Sequence, residues 1–244
     1  MRRVLLVVQY DGTDYHGFQR QPQVPTIQQE LEDALARVLG HAVRVTAAGR
    51  TDAGVHALGQ CVTFETDRPI PLERIVPAVN AVLPAAVSAL SAQAVPEGFH
   101  PRHHAVAKLY GYRILNRELP SPFIGRYAWH VPQPLDVRLM QEAADRLLGT
   151  HDFVAFSSAG GSPQDTVRTL TRLDVERHGE LVELRAEADG FLYMMVRRLA
   201  ATLVEVGLGR LALESVPLIL HSRDRTRVPA VAPPQGLSLI KVIY

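Results

Sequence analysis

One order of elements occurs twice along this chain, and that repetition limits the folds open to it more than any other feature. Residues 4–10 are β-branched and apolar and read as a strand. After a polar loop, Thr26-Ile27-Gln28-Gln29-Glu30-Leu31 opens a helix with a hydroxyl cap and an acid four residues on. Leu31, Ala34, Leu35, Val38 and Leu39 share one helical face, and Gly40 ends it. In the second half, residues 109–115 alternate like a strand. Asp136 then caps a helix that puts Leu139, Ala143, Leu147 and Leu148 on one face and stops at Gly149. The helix ends resemble each other in residues, Arg37-Val38-Leu39-Gly40-His41 against Arg146-Leu147-Leu148-Gly149-Thr150-His151. Each half returns as strands, 43–47 and 61–65 in the first, 168–176 and 181–188 in the second. The last two are joined at His178-Gly179 as an antiparallel hairpin. The pattern implies an internal duplication and an α+β fold of two α/β halves, residues 1–105 and 106–244.

A chain of 244 residues with 47% hydrophobic and 21% charged content carries enough apolar surface for such cores, which excludes disorder. The one cysteine, Cys61, closes no internal disulfide, and no Cys/His set has zinc-finger spacing, so the expected compartment is cytoplasmic. Met1-Arg2-Arg3 runs into five apolar residues, Val4 to Val8, too few for a signal core. No segment approaches the roughly 18 apolar residues of a membrane span. Residues 190–207 are apolar nearly all round and read as a buried helix. Arg197 and Arg198 on that helix are costly unless paired or turned to a polar cleft.

Net charge is only +1, which by itself argues against a chain that coats itself in nucleic acid. The charge is unevenly spread. Between His100 and His130, Arg102, Lys108, Arg113, Arg117 and Arg126 stand against Glu118 alone, a local +4. Between Gly190 and Val228, six arginines stand against Glu205, Glu214 and Asp224, a local +3. Such segments suit phosphate contact.

The segment densest in chemistry is Gly49-Arg50-Thr51-Asp52-Ala53-Gly54-Val55-His56-Ala57, directly after the 43–47 strand. Gly49 and Gly54 have the spacing of a phosphate loop, but Val55-His56 stands where Lys-Ser/Thr is needed, so that motif fails. An Asx-turn at Asp52 is the plain reading of an isolated Gly-x-x-Asp-x-Gly; Arg50 and a dry cleft that keeps Asp52 ionised make the functional one. His100-Pro101-Arg102-His103-His104 has no carboxylate at ligand spacing and reads as a solvated basic loop rather than a metal site. Residues 153–160 lack the glycine of a nucleophile elbow and read as a flexible loop, a candidate substrate lid. Asp11-Gly12-Thr13-Asp14 reads as a turn. Tyr110 and Tyr112 share one strand face, as core packing or as a stacking platform for a nucleobase.

Four segments together resemble the tRNA pseudouridine synthase A family: Tyr10-Asp11-Gly12-Thr13-Asp14-Tyr15-His16-Gly17-Phe18-Gln19, the Gly49 to Ala57 motif, Lys108-Leu109-Tyr110-Gly111-Tyr112-Arg113-Ile114, and Gly190-Phe191-Leu192 through Met195-Val196-Arg197 to Glu205-Val206-Gly207. Ala232-Pro233-Pro234-Gln235-Gly236-Leu237-Ser238-Leu239 fits as well, and the likeness runs from Val4 to Tyr244. One departure stands out: Arg198 and Ala201 occupy positions where the family usually has Asn and Gly. The resemblance implies two similar halves joined through a mostly antiparallel central sheet flanked by helices, with the active cleft between them. It also implies isomerisation of uridines 38, 39 and 40 in the anticodon stem-loop of tRNA, by a homodimer that needs no cofactor and no metal. By the family motif Asp52 is the catalytic carboxylate. Arg50 resembles the arginine that enters the stem as the target base leaves, Arg197 the one placed near the aspartate, and Tyr110 the tyrosine stacked on the flipped uracil.

The chemistry needs little equipment. The N1–C1′ bond breaks, the detached uracil turns, and C5 is joined to the same sugar. Asp52 serves either as nucleophile or as the base that takes a proton from the sugar, and the residues alone do not separate these routes. Two other readings stay open at this level: a catalytically silent tRNA-binding protein on the same fold, and an unrelated hydrolase with an Asp nucleophile, for which His56 is the one available second group.

Overall fold

The computed structural model describes residues 1–160 and 165–244. These residues form ten strands, mostly antiparallel, and five α-helices. They cluster into two compact units, one of residues 1–106 with 239–244, the other of residues 107–238.

In the first unit β1 (Arg2–Tyr10) is followed by α1 (Ile27–Leu39), β2 (Thr46–Ala47), β3 (His56–Thr66), α2 (Leu72–Asn80) and β4 (Val87–Val95). β1 runs between β3 and β4 and is antiparallel to both, with Leu6 opposite Val62 on one side and Ala92 on the other. Val4, Leu6 and Val8 are buried along β1, as the alternation of a half-covered strand requires. Ile27, Leu31, Ala34, Leu35 and Leu39 of α1 are buried too. Val38, expected on that face, is only half-buried.

The start of α1 corrects one expectation. Thr26 is the N-cap, but its hydroxyl caps nothing and is buried without a partner among the described residues. The reason is the incoming chain: Gly17 and Phe18 carbonyls accept from Ile27 N and Gln28 N at 3.3 and 2.9 Å, satisfying donors that a capping side chain would serve. The helix ends as expected, on a left-handed Gly40 whose N–H reaches Ala36 O. Residues 43–47 give only the two-residue β2, while the strand expected over 61–65 begins at His56.

The second unit holds β5 (Ala107–Leu115), β6 (Trp129–His130), α3 (Val137–Asp145), β7 (Gly149–Asp152), β8 (Val167–His178), β9 (Leu181–Ala188), α4 (Met195–Gly207) and α5 (Ser215–Ser222). β10 (Leu237–Ile243) closes the chain. β9 pairs antiparallel with β5 and β8, β7 pairs with β8, and β6 runs parallel to β5. The β8–β9 hairpin turns where His178-Gly179 predicts. Asp136 caps α3 by accepting from Leu139 N at 3.0 Å, as its position predicts.

Three boundaries differ from the sequence reading. α3 stops at Asp145, Leu148 is exposed, and Gly149 opens β7 instead of ending the helix. α4 begins at Met195, not at 190, because Met194 takes a left-handed φ of 60° that no helix interior accommodates. Residues 153–156 form a 3₁₀ turn capped by Asp152, with Phe153 and Phe156 wholly buried. Two anchored aromatic rings are the opposite of a flexible lid.

Candidate active site

Arg50 and Asp52 lie on the loop between β2 and β3, Arg50 exposed and Asp52 half-buried. The loop is held by the segment that follows β1. Phe18 N donates to Thr51 O at 3.0 Å, Gly54 N to Tyr15 O at 3.3 Å, and Val55 N to Asp52 O at 3.1 Å within the turn itself. Gln60 Nε2 donates to Gly49 O at 2.9 Å, while its Oε1 accepts from Cys61 N. Every one of these bonds fixes backbone, so the course of the loop past Asp52 is set by its main chain.

Side chains complete the frame. The hydroxyls of Tyr10 and Thr51 meet at 2.8 Å in a buried contact. Burial pushes the Tyr10 phenol up to about 12, against the opposing bonds from Thr51 and Gln60. Nδ1 of the buried His56 lies 3.1 Å from Gly12 N and 3.2 Å from an Asp11 carboxylate oxygen. Asp11 also accepts from Thr13 N at 2.9 Å, an Asx-turn within the segment that reads as a turn.

Two glycines set how close the segments come. A Cβ on Gly12 would stand 2.0 Å from Val55 O, which nothing but glycine permits. Gly17 takes a φ of +90°, and a Cβ there would stand 2.8 Å from Thr51 O. The reading of residues 11–14 as a simple turn therefore misses most of the role of this segment: it is the wall of the Asp52 loop. The likeness of residues 10–19 to a family is the only signal of it in the sequence.

Tyr110 and Arg197 belong to the second unit. Tyr110 stands on β5 opposite Ala186 of β9, is 9% exposed, and meets Phe191 edge to face with 5.0 Å between ring centroids. Arg197 lies in the first turn of α4, which packs against β5. Its Nε donates to Ala232 O at 2.7 Å, and Ala232 N donates back to Arg197 O at 3.2 Å. Tyr112 is a different tyrosine. It is wholly buried, its hydroxyl donates to Pro233 O at 2.8 Å, and its ring packs edge-on to Trp129. Packing is thus the role of Tyr112, and the structure groups Arg50 with Asp52 on one loop and Tyr110 with Arg197 in one packed unit.

The basic segments are less charged than they read. Arg113 faces Glu183 across β5 and β9 and pairs with it at 2.9 Å, and Arg117 pairs with Glu180 at 3.0 Å. Arg223 is bound to Asp152. Counting along the chain misses acids that cross-strand register brings alongside. Around His100, the His104 ring stacks on Phe99 at 5.2 Å, and among the described residues no group of His, Cys, Asp and Glu could hold a metal.

Comparison with known proteins decides the class. The family model described as tRNA pseudouridine synthase matches residues 6–103 and 143–244. The chain belongs to the tRNA pseudouridine synthase family. It is 46% identical over 244 residues to tRNA pseudouridine synthase A of Thermoanaerobacter sp. (strain X514), covering 100% of both chains. The corresponding protein of Acetivibrio thermocellus is 43% identical over 244 residues, again with 100% of each chain covered. That of Moorella thermoacetica is 45% identical over 241 residues, 98% of each. The chain is accordingly an isomerase that converts uridine to pseudouridine in tRNA. No helix among its described residues is long and apolar enough to cross a membrane.

Proposed function

We propose that the chain isomerises uridines 38, 39 and 40 of the tRNA anticodon stem-loop, with Asp52 as the catalytic carboxylate. Asp52 and Arg50 act on the same nucleotide as Tyr110 and Arg197. Asp52 starts either route, attack on the sugar or removal of its proton; the N1–C1′ bond breaks, C5 bonds to C1′, and the C5 proton leaves. Arg50 fills the place the base vacates, Tyr110 stacks on the uracil, and Arg197 keeps Asp52 ionised, because a guanidinium stays charged at any working pH. Flipping costs a few kcal/mol, which stacking and phosphate contact offset. The protein works in the cytoplasm as a homodimer of chains with halves 1–105 and 106–244 and needs no cofactor or metal.

The observation that carries this reading is the Asp52 loop. It keeps the full Gly49 to Ala57 motif in a chain that matches its relatives end to end, and a dedicated segment of backbone holds it. The test is nucleotide-resolution mapping of pseudouridine in an unmodified tRNA transcript treated with the protein. Modification confined to positions 38–40 is expected; modification only elsewhere would overturn the assignment of position.

A further inference from the structure

In the second unit, two guanidinium groups converge where no acid among the described residues meets them. Arg198, on the first turn of α4, reaches Ser158 Oγ with Nη1 at 3.5 Å and donates through Nη2 to the carbonyl oxygen of Arg225. Arg225 in turn donates through Nε to Ser157 Oγ at 3.0 Å, and that hydroxyl is anchored on Val154 O at 2.8 Å. The nearby carboxylates are already engaged. Asp152 holds Arg223, Thr166 and Val154 N, and Asp224 is spent on the Thr226 hydroxyl and amide.

Two features mark this as an incomplete arrangement. The Nε of Arg198 is buried and has no acceptor among the described residues, an uncommon state for a buried donor. Partial burial and the neighbouring Arg225 charge also push the Arg198 pKa down, so the pair repel each other with nothing between them to offset it. The missing component is an anion with several acceptor oxygens. A guanidinium pair with hydroxyls beside it, at the positive end of α4, matches a phosphate in charge and in donor geometry.

We propose that Arg198 and Arg225, with Ser157 and Ser158, form a phosphate-binding site that takes a backbone phosphate of the RNA substrate. The site rests on the reading of the chain as a tRNA-modifying enzyme.

The test is tRNA affinity measured over a range of salt for the wild type, Arg198→Asn, Arg225→Gln and the double variant. Loss of one phosphate contact should lower the slope of log affinity against log salt by about 1 in the double variant and weaken binding about tenfold at low salt. Melting temperatures of the free proteins should stay within a few degrees of wild type, because removing one of two repelling charges relieves the free site. Arg225→Gln, an exposed change, carries the test alone if the double variant misfolds. An unchanged slope in folded variants overturns the site. Titration with inorganic phosphate separates the sources: stabilisation of wild type but not the variants, with tRNA slopes unchanged, makes this a free-phosphate site and overturns the RNA assignment. Pseudouridine formation by the wild type is measured in parallel, so its failure counts against the proposed function and an unchanged slope in an active protein counts against this site alone.

Discussion

The Asp52 loop and the Arg198 cluster solve opposite problems. Around Asp52, backbone from residues 12–18 and the Tyr10, Gln60 and His56 side chains hold the loop in place before any substrate arrives. Around Arg198, like charges approach and a buried N–H has no acceptor among the described residues, so the arrangement is complete only with an anion present. Chemistry that depends on one carboxylate needs rigid placement, because small displacements of reacting groups are expensive. Binding of a phosphate tolerates, and exploits, an unsatisfied pocket. Perturbing the first region should therefore cost fold and turnover, whereas perturbing the second should cost affinity.

The largest effect should come from Gly12→Ala. Its new Cβ would stand 2.0 Å from Val55 O, so the loop must move. We expect a loss of about 1–3 kcal/mol of stability from overpacking and about 100-fold in turnover from misplacement of Asp52, read by thermal melting and single-turnover assays. Gly98→Ala is the control, since a Cβ there meets nothing within 4 Å, and it should change neither. Equal behaviour of the two variants would break the contrast.

A smaller effect is expected for Tyr10→Phe, which removes the hydroxyl from Thr51 and should cost about 1 kcal/mol near neutral pH. The difference should shrink in alkali. Unfolded Tyr10 ionises near 10 while the folded group stays protonated to about 12, so the stability tied to its burial is present below pH 10 and lost between pH 10 and 12. Denaturant melts of both proteins across that window check the sign.

Charge should separate the two kinds of arginine more weakly still. Arg113 is already paired with Glu183, so Arg113→Gln should leave the salt dependence of tRNA binding nearly unchanged. Arg102 is exposed and has no ion pair among the described residues, and Arg102→Glu should weaken binding and flatten its salt dependence. The smallest effect, none, is expected from exhaustive chelation and dialysis with tRNA folding controlled; activity lost and then restored by a metal would count against an isomerisation carried by Asp52 alone.

How far the sequence could be read depended on the range of the interaction. Short-range signals were legible: the alternation of β1, the apolar stripe and Gly40 stop of α1, the Asp136 cap and the β8–β9 turn all appear where local chemistry puts them. Long-range arrangements were not. Thr26 reads as a capping hydroxyl because carbonyls from Gly17 and Phe18, arriving through the fold, cannot be seen locally. The pairing of Arg113 with Glu183 depends on register between strands far apart in sequence, and Met194 gives no compositional hint of its left-handed φ. For the candidate site, the motif singles out the Asp52 loop, but the wall built by residues 12–18 was visible only as likeness to a family.

That the Asp52 carboxylate is the catalyst, on a loop preset for it, is tested most directly by Asp52→Asn on tRNA labelled with tritium at uridine C5. The label must leave when C5 bonds to the sugar, so its release reports the complete isomerisation. The variant is expected to fold, since main-chain hydrogen bonds that the substitution leaves in place hold the loop. It should also bind tRNA and release tritium at no more than background. Release within about tenfold of wild type, a barrier change of only about 1.4 kcal/mol, would mean that Asp52 is not the essential group and would contradict the mechanism.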